Sequence, residues 1–228
     1  MLPTVPLLCQ SNESISPSNE ISLLGYSGLL YTPSAYTAKW GELYTGFTHY
    51  DKNAAFTFEA GESNERSFVT NIGFLSFAEF SIRLTKPYDS RDENYGIGDR
   101  SISGRIQIFK EKKLRPAILI GTNDFASVSS FFNTTYMVIS KSKIIKDIRI
   151  NGNLGYGFKI NDARRHYLQG VFGGVQASYK FINLMTEYDA DHWNIGLGYQ
   201  YKRFLFLKTA LIDLQFLSFN IGVQLQLR

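Results

Sequence analysis

The stretch Leu217–Arg228 reads Leu-Ser-Phe-Asn-Ile-Gly-Val-Gln-Leu-Gln-Leu-Arg. Its odd positions, Leu217, Phe219, Ile221, Val223, Leu225 and Leu227, are all apolar, and its even positions are all small or polar. Successive side chains of a strand point to opposite faces, so this stretch makes one fully apolar face and one fully polar face. Its length suits a tilted strand crossing a bilayer, which needs roughly 9–11 residues. One such strand is equally compatible with a half-buried strand of a soluble sheet. The decision rests on whether the rest of the chain repeats the pattern.

It does so over most of its length. Ala78–Lys86 sets Phe80, Ile82 and Leu84 against Glu79, Ser81, Arg83 and Thr85, and Ser101–Lys110 sets Ile102, Ile106 and Ile108 against Ser103, Arg105 and Gln107. Ile148–Lys159 and Trp193–Lys202 alternate in the same way, with Gly and Asn on the polar side. Ser67–Phe74, Val171–Lys180, Ile182–Asp189 and Leu205–Ile212 add further strands. Glu42–Tyr50 is a strand but not a clean alternator, and Arg115–Asp124 and Thr135–Ser142 are strands by composition with ambiguous facing. The reading is about twelve strands, an even number, with Ala54–Glu59 as a further strand or a hairpin extension. No helical stripe of convincing length competes.

The connections carry a second signal. Tight ones fall at Leu75–Phe77, Glu111–Leu114, Lys143–Asp147, Phe181 and Arg203–Phe204; longer ones fall at Asp51–Arg66, Pro87–Arg100, Phe125–Thr134 and Ile160–Gly170. Outer-membrane barrels have short periplasmic turns and longer outside loops. With both termini periplasmic, the long loops here all lie outside, while Ala190–His192 and Asp213–Gln215 are shorter outer turns.

Composition bounds the answer. The 228 residues are 44% apolar and 15% aromatic, rich in Tyr and Phe and poor in Pro, which suits strands. A net charge of +4, scattered along the chain, argues against nucleic acid as a partner. The single cysteine, Cys9, excludes an internal disulfide and a cysteine-based metal site. No stretch reaches the roughly 18 apolar residues of a membrane helix. A membrane protein of this kind has to be a closed barrel, the other fold that satisfies every backbone group in lipid.

A soluble sandwich or lipocalin-like barrel would show the same alternation with the opposite sense. Two features favour the membrane sense. The polar face is rich in Gly, Asn, Ser and Gln, which suits a lumen. Tyr50, Tyr88, Tyr136, Tyr179, Tyr188, Trp193 and Tyr201 lie toward strand ends, where interfacial girdles sit. The fold expected is an all-β, antiparallel, up-and-down transmembrane barrel over residues 42–228.

Residues 1–20 read as a disordered leader or signal remnant. Met1–Leu8 is mildly apolar but lacks basic residues, and Pro6-Leu7-Leu8-Cys9 makes Cys9 a lipidation candidate, although small residues do not precede it. Residues 21–41 are Gly-, Tyr- and Leu-rich with no sustained period, and read as an irregular segment able to plug the lumen.

Several stretches resemble the YjbH-like family of outer-membrane β-barrel proteins. They are Gly25-Tyr-Ser-Gly-Leu-Leu-Tyr-Thr-Pro-Ser-Ala35, Gly73–Thr85, Pro116–Asp124, Tyr136–Lys141, Gly155-Tyr-Gly157, Gly170–Gly174 and Glu187-Tyr-Asp189. The resemblance implies an outer-membrane barrel associated with exopolysaccharide production and export in Gram-negative bacteria. The chain is short for that family and reads as one barrel.

Charges on the inferred inner face are the functional candidates: Glu79, Arg83, Arg105, Arg149, Lys180, Glu187 and Lys202, with Asp124 and Lys141 of undecided facing. They either pair to fill the interior or form a mixed-charge constriction for polar solutes. His49, His166 and His192 have no local serine partner, and Asp189, Asp191 and His192 form a turn more readily than a metal site, so no enzyme, metal or cofactor is expected. Two functions stay open. One is a porin-like or polysaccharide-export-associated channel. The other is a structural or accessory barrel with a closed lumen in a larger complex. The partners implied are outer-membrane lipid, other outer-membrane proteins, and a polar solute or polysaccharide.

Overall fold

The computed structural model describes residues 20–55, 63–88, 98–126, 133–158, 167–202 and 204–227. The expectations for Cys9, for the leader before Glu20 and for residues 56–59 of Ala54–Glu59 fall outside these residues, as does His166.

Twelve strands form a closed antiparallel barrel in which each strand pairs with its sequence neighbours. They are β1 Glu42–Tyr50, β2 Glu65–Leu75, β3 Ala78–Pro87, β4 Asp99–Phe109, β5 Ala117–Asn123, β6 Thr134–Ile145, β7 Ile148–Phe158, β8 Gly170–Tyr179, β9 Ile182–Tyr188, β10 Trp193–Tyr201, β11 Leu205–Ile212 and β12 Phe216–Gln226. The ring closes where β12 meets β1, in a continuous register from Glu42↔Gln226 to Tyr50↔Ser218. Closure leaves no free sheet edge, so the wall satisfies its backbone groups by strand pairing around the whole ring. Short turns join β2–β3, β6–β7, β8–β9 and β10–β11 at one end. The longer connections β1–β2, β3–β4, β5–β6 and β7–β8 lie at the other.

The sense of the alternation is membrane-like. On β12, Leu217, Phe219 and Ile221 are 55%, 48% and 47% exposed, whereas Ser218 and Asn220 between them are 0% and 3% exposed. The same holds on β3, where Phe80 and Ile82 face out and Glu79, Ser81, Arg83 and Thr85 are buried. A soluble barrel would bury the other set. Here a continuous apolar belt faces outward, and such a belt is stable only against lipid. Tyr88 and Trp193 are exposed at the long-loop end of the belt and Tyr179 and Tyr201 at the short-turn end, giving two aromatic girdles.

Tyr50 and Tyr136 do not join those girdles; both are fully buried on the inward face. The Tyr50 hydroxyl donates to the Leu23 carbonyl at 2.6 Å, and the Tyr136 ring packs edge-on against Phe172. Both belong to an apolar cluster inside the barrel.

A lumen occupied by the N-terminal segment

Residues 20–38 are buried without a break. The segment has little regular structure beyond isolated bridges pairing Ile21 with Ser27 and Gly28 with Pro33. It touches inward-facing side chains from opposite sides of the ring. Thr48 and Tyr50 of β1 both donate to the Leu23 carbonyl, Gln107 of β4 donates to the Ala35 carbonyl, and the Ala35 amide donates to Ser140 of β6. A segment that reaches β1, β4 and β6 together lies within the barrel.

An irregular segment in a dry interior must have its backbone groups satisfied by something other than a ladder. Four charged wall residues supply much of this. The Glu187 carboxylate on β9 accepts from the amides of Leu30, Tyr31 and Thr32 at 3.0, 2.7 and 3.1 Å, and from the Thr32 hydroxyl at 2.7 Å. Three successive amides converging on one anion make a nest, the arrangement that backbone uses to bind phosphate elsewhere. Glu79 on β3 accepts from the amides of Ser27 and Ala38 at 2.9 and 2.6 Å and from the Ser27 hydroxyl at 2.6 Å. Its charge is balanced by Arg105 of β4, which also donates to the carbonyls of Ser27 and Ser34 and lies over the Tyr26 ring. Lys208 on β11 donates to the carbonyls of Ile21 and Leu29, both at 2.6 Å, and pairs with Glu20 at 3.3 Å.

Apolar contacts complete the fit. Leu23, Leu29, Leu30 and Tyr31 pack against Leu119, Val138, Phe172 and Met185 of the wall. Gly174 and Gly196 admit the leucines: a Cβ at Gly174 would lie 2.6 Å from Leu29 Cδ1, and one at Gly196 would lie 2.4 Å from Leu30 Cδ2. At the short-turn end, the Tyr36 hydroxyl donates to Glu111 of the β4–β5 turn at 2.6 Å. Toward the long loops, Tyr31 and Tyr167 line a vestibule of about 130 Å³ with Asn53, Asp189 and His192.

The charged candidates separate into groups. Glu79, Arg105 and Glu187 hold the segment. Arg83 pairs with Asp99 across β3 and β4 at 3.6 Å, and Asp124 is buried just beyond β5, where its amide meets Ser103. Arg149 is half-buried on the inward face of β7. Lys141 stands elsewhere: it has outward parity on β6, pairs with Glu111 at 3.1 Å, and donates to carbonyls of the β4–β5 turn. Lys180 and Lys202 are exposed turn residues with φ of 52° and 48°, each beside the ring of the preceding tyrosine. Strict alternation put them on the inner face, but each strand ends one residue earlier and the chain reverses at the lysine. Asp189 caps its turn by accepting from the amides of Asp191 and His192. Among the described residues no group of three or more His, Cys, Asp or Glu is placed to hold a metal.

Lys208 and Glu20 were not among the sequence candidates. Lys208 looks from sequence like an interruption of an apolar run, and Glu20 like the end of a polar leader. Lys208 does share parity with Phe206, Ala210 and Ile212, all buried inward, so its facing follows once β11 is phased.

A closed twelve-stranded wall with an apolar belt, aromatic girdles and a polar inner face defines a transmembrane β-barrel of the outer-membrane type. Residues 21–182 match the YjbH family, described as exopolysaccharide biosynthesis protein YbjH, and the chain belongs to that family. No curated protein matches it in sequence. In fold it is similar to the KdgM porin, at 10% identity over 81% of this chain and 99% of that one, with a TM-score of 0.51. A second structure, the KdgM porin in complex with disordered oligogalacturonate, gives 10% identity, the same coverage and a TM-score of 0.52. An outer membrane channel from Pseudomonas putida F1 aligns at 9% identity over 86% of this chain and 99% of that one, with a TM-score of 0.40.

Proposed function

We propose that this chain is a non-enzymatic outer-membrane barrel, closed at rest by its own residues 20–38, that acts as an accessory subunit of an exopolysaccharide export system. The observation that carries the reading is the use of the wall's charges. Glu79 with Arg105, Glu187, and Lys208 are engaged with the segment rather than with an open aqueous path. A selective pore keeps its charged groups available to a passing solute. Family membership supplies the link to exopolysaccharide.

A second reading, a porin-like channel for polar solutes or polysaccharide, is favoured by the inward wall away from the segment. Ser101, Ser103, Asn151, Asn153, Gln176 and Asn183 present hydroxyls and amides, the groups that exchange hydrogen bonds with sugars. The KdgM porin, which shares the fold, has been seen with oligogalacturonate.

Planar-bilayer recording of the purified protein separates the two. The closed reading expects little steady conductance from the native chain and a clear increase when residues 21–38 are deleted from a barrel that still shows heat-modifiable gel mobility. Steady conductance of the native chain equal to that of the deletion overturns it in favour of the channel.

A further inference from the structure

The outward face of strands β1–β4 carries its charge at one end. At the long-loop end, His49 of β1 pairs with Arg66 of β2, and Arg66 pairs with Lys86 of β3. Arg100 of β4 pairs with Leu84, one outward step from Lys86. All four share the outward parity, and the three cations are exposed. They form a row across four adjacent strands.

The level of the row is set by its neighbours. The next outward residue toward the middle of each strand is Phe47, Phe68, Leu84 and Ile102 in turn, so the apolar belt begins directly beneath. Tyr88 stands just above and holds the row in shape. Arg66 lies 3.8 Å from its ring centre, and His49 meets the same ring edge-on at 5.9 Å while stacking on Phe219 at 4.9 Å. A flexible surface arginine would not be held this way. At the opposite end Lys112, Lys180 and Lys202 lie in turns, while Lys141 and Lys143 lie on β6, with Lys141 paired to Glu111. Glu65 and Asp99, which directly precede Arg66 and Arg100 in sequence, are buried on the inward side.

Cations at the edge of the belt meet lipid headgroups, and arginine and lysine there meet phosphate. The width of the row narrows the ligand. Strands lie roughly 4.8 Å apart, so the row from His49 to Arg100 is about 14 Å wide across the strands. One phosphodiester does not fill that span, whereas two phosphates carried on a disaccharide headgroup do. We propose that His49, Arg66, Lys86 and Arg100, braced by Tyr88, form a binding site for a bis-phosphorylated glycolipid in the leaflet that meets the long loops. The site is on the outer wall and does not depend on whether the lumen conducts.

Native mass spectrometry of the detergent-solubilised full chain tests this. The probes are bis-phosphorylated lipid A, lipid A stripped of its phosphates, phosphatidylglycerol and inorganic phosphate. The expected result is one retained lipid A per barrel, with no retention of the stripped form and no displacement by the other two probes. The triple variant Arg66→Gln, Lys86→Gln, Arg100→Gln should bind at least about tenfold more weakly while keeping native gel mobility. If the triple variant does not fold, Lys86→Gln alone should weaken retention measurably. Unchanged retention in a folded variant overturns the site. Equal binding of phosphatidylglycerol or inorganic phosphate overturns the two-phosphate assignment.

Discussion

Glu187 concentrates the logic of the interior in one side chain. It sits fully buried on β9, and four donors of the N-terminal segment converge on it, with Asn194 of β10 adding a fifth at 3.2 Å. A carboxylate in a dry site is tolerable only with such dense donation. The reverse also holds: the amides of Leu30, Tyr31 and Thr32 rely on that oxygen pair. Substituting Glu187→Leu therefore leaves those amides without their acceptor and is expected to weaken segment docking by about 3–5 kcal/mol. Glu187→Gln keeps one acceptor oxygen but turns an amide donor toward backbone donors, so its effect should be close behind. The barrel itself should persist, because its ladder does not pass through this side chain. Hydrogen exchange of residues 29–33 checks the prediction: protection there should fall in both variants while the strand amides stay protected. Unchanged protection of 29–33 would show that the apolar contacts of Leu29 and Leu30 suffice.

At the level of elements, legibility followed the interior. Strands whose inward face meets polar neighbours, such as β3, β4, β7, β10 and β12, were readable from alternation alone. The three that resisted phasing, β1, β5 and β6, put Tyr44 and Tyr50, Ala117 and Leu119, and Tyr136 and Val138 on the inward face. These residues pack on the N-terminal segment or on wall neighbours, so apolar side chains occur on both faces of those strands and the period-2 contrast weakens. The ambiguity was a physical trace of the occupied lumen. The wall charges were legible as candidates, but their partners were not. No local pattern joins Glu187 to Thr32 across most of the chain, or Glu20 to Lys208. The exit of the segment depends on another such pairing, between Tyr36 and the β4–β5 turn. Burial raises the Glu111 carboxyl pKa, but donation from the Tyr36 hydroxyl, the Ser142 amide and Lys141 outweighs it, leaving the group below the usual glutamate range. A carboxyl with a depressed folded pKa stabilises above its unfolded pKa and loses that contribution as pH falls through the folded value. Acidification through that folded value, below the ordinary glutamate range, should therefore loosen the Tyr36 contact. Tyr36-specific fluorescence or exchange at residues 35–38 should change over that window, and Glu111→Gln should abolish the pH dependence.

For the whole molecule, the decisive property is which face of the wall meets which medium, and depth-resolved substitution reads it directly. Leu197 lies at the centre of β10, faces outward and pairs with Leu184 and Thr209. Tyr201 faces the same way four residues on, at the short-turn end of the strand. In water an outward Leu→Arg exchange on a strand surface is nearly neutral, and position along the strand makes little difference. In a bilayer, an arginine at the midplane is expected to destabilise the barrel by about 2–4 kcal/mol, and one near the interface by about 0–1 kcal/mol. Leu197→Arg and Tyr201→Arg should thus differ by a factor that equilibrium unfolding in lipid vesicles resolves easily. The comparison is internally controlled, because both residues sit on one strand, share one parity and leave the inward face and the N-terminal segment untouched. The difference between them measures depth in lipid, not the general cost of a charge. Equal and small effects at both positions would mean that the apolar belt is covered by something other than a bilayer. A large effect at Leu197 alone ties the alternation at Leu217–Leu227 to lipid, because β10 and β12 both flank β11 and expose the same outward face.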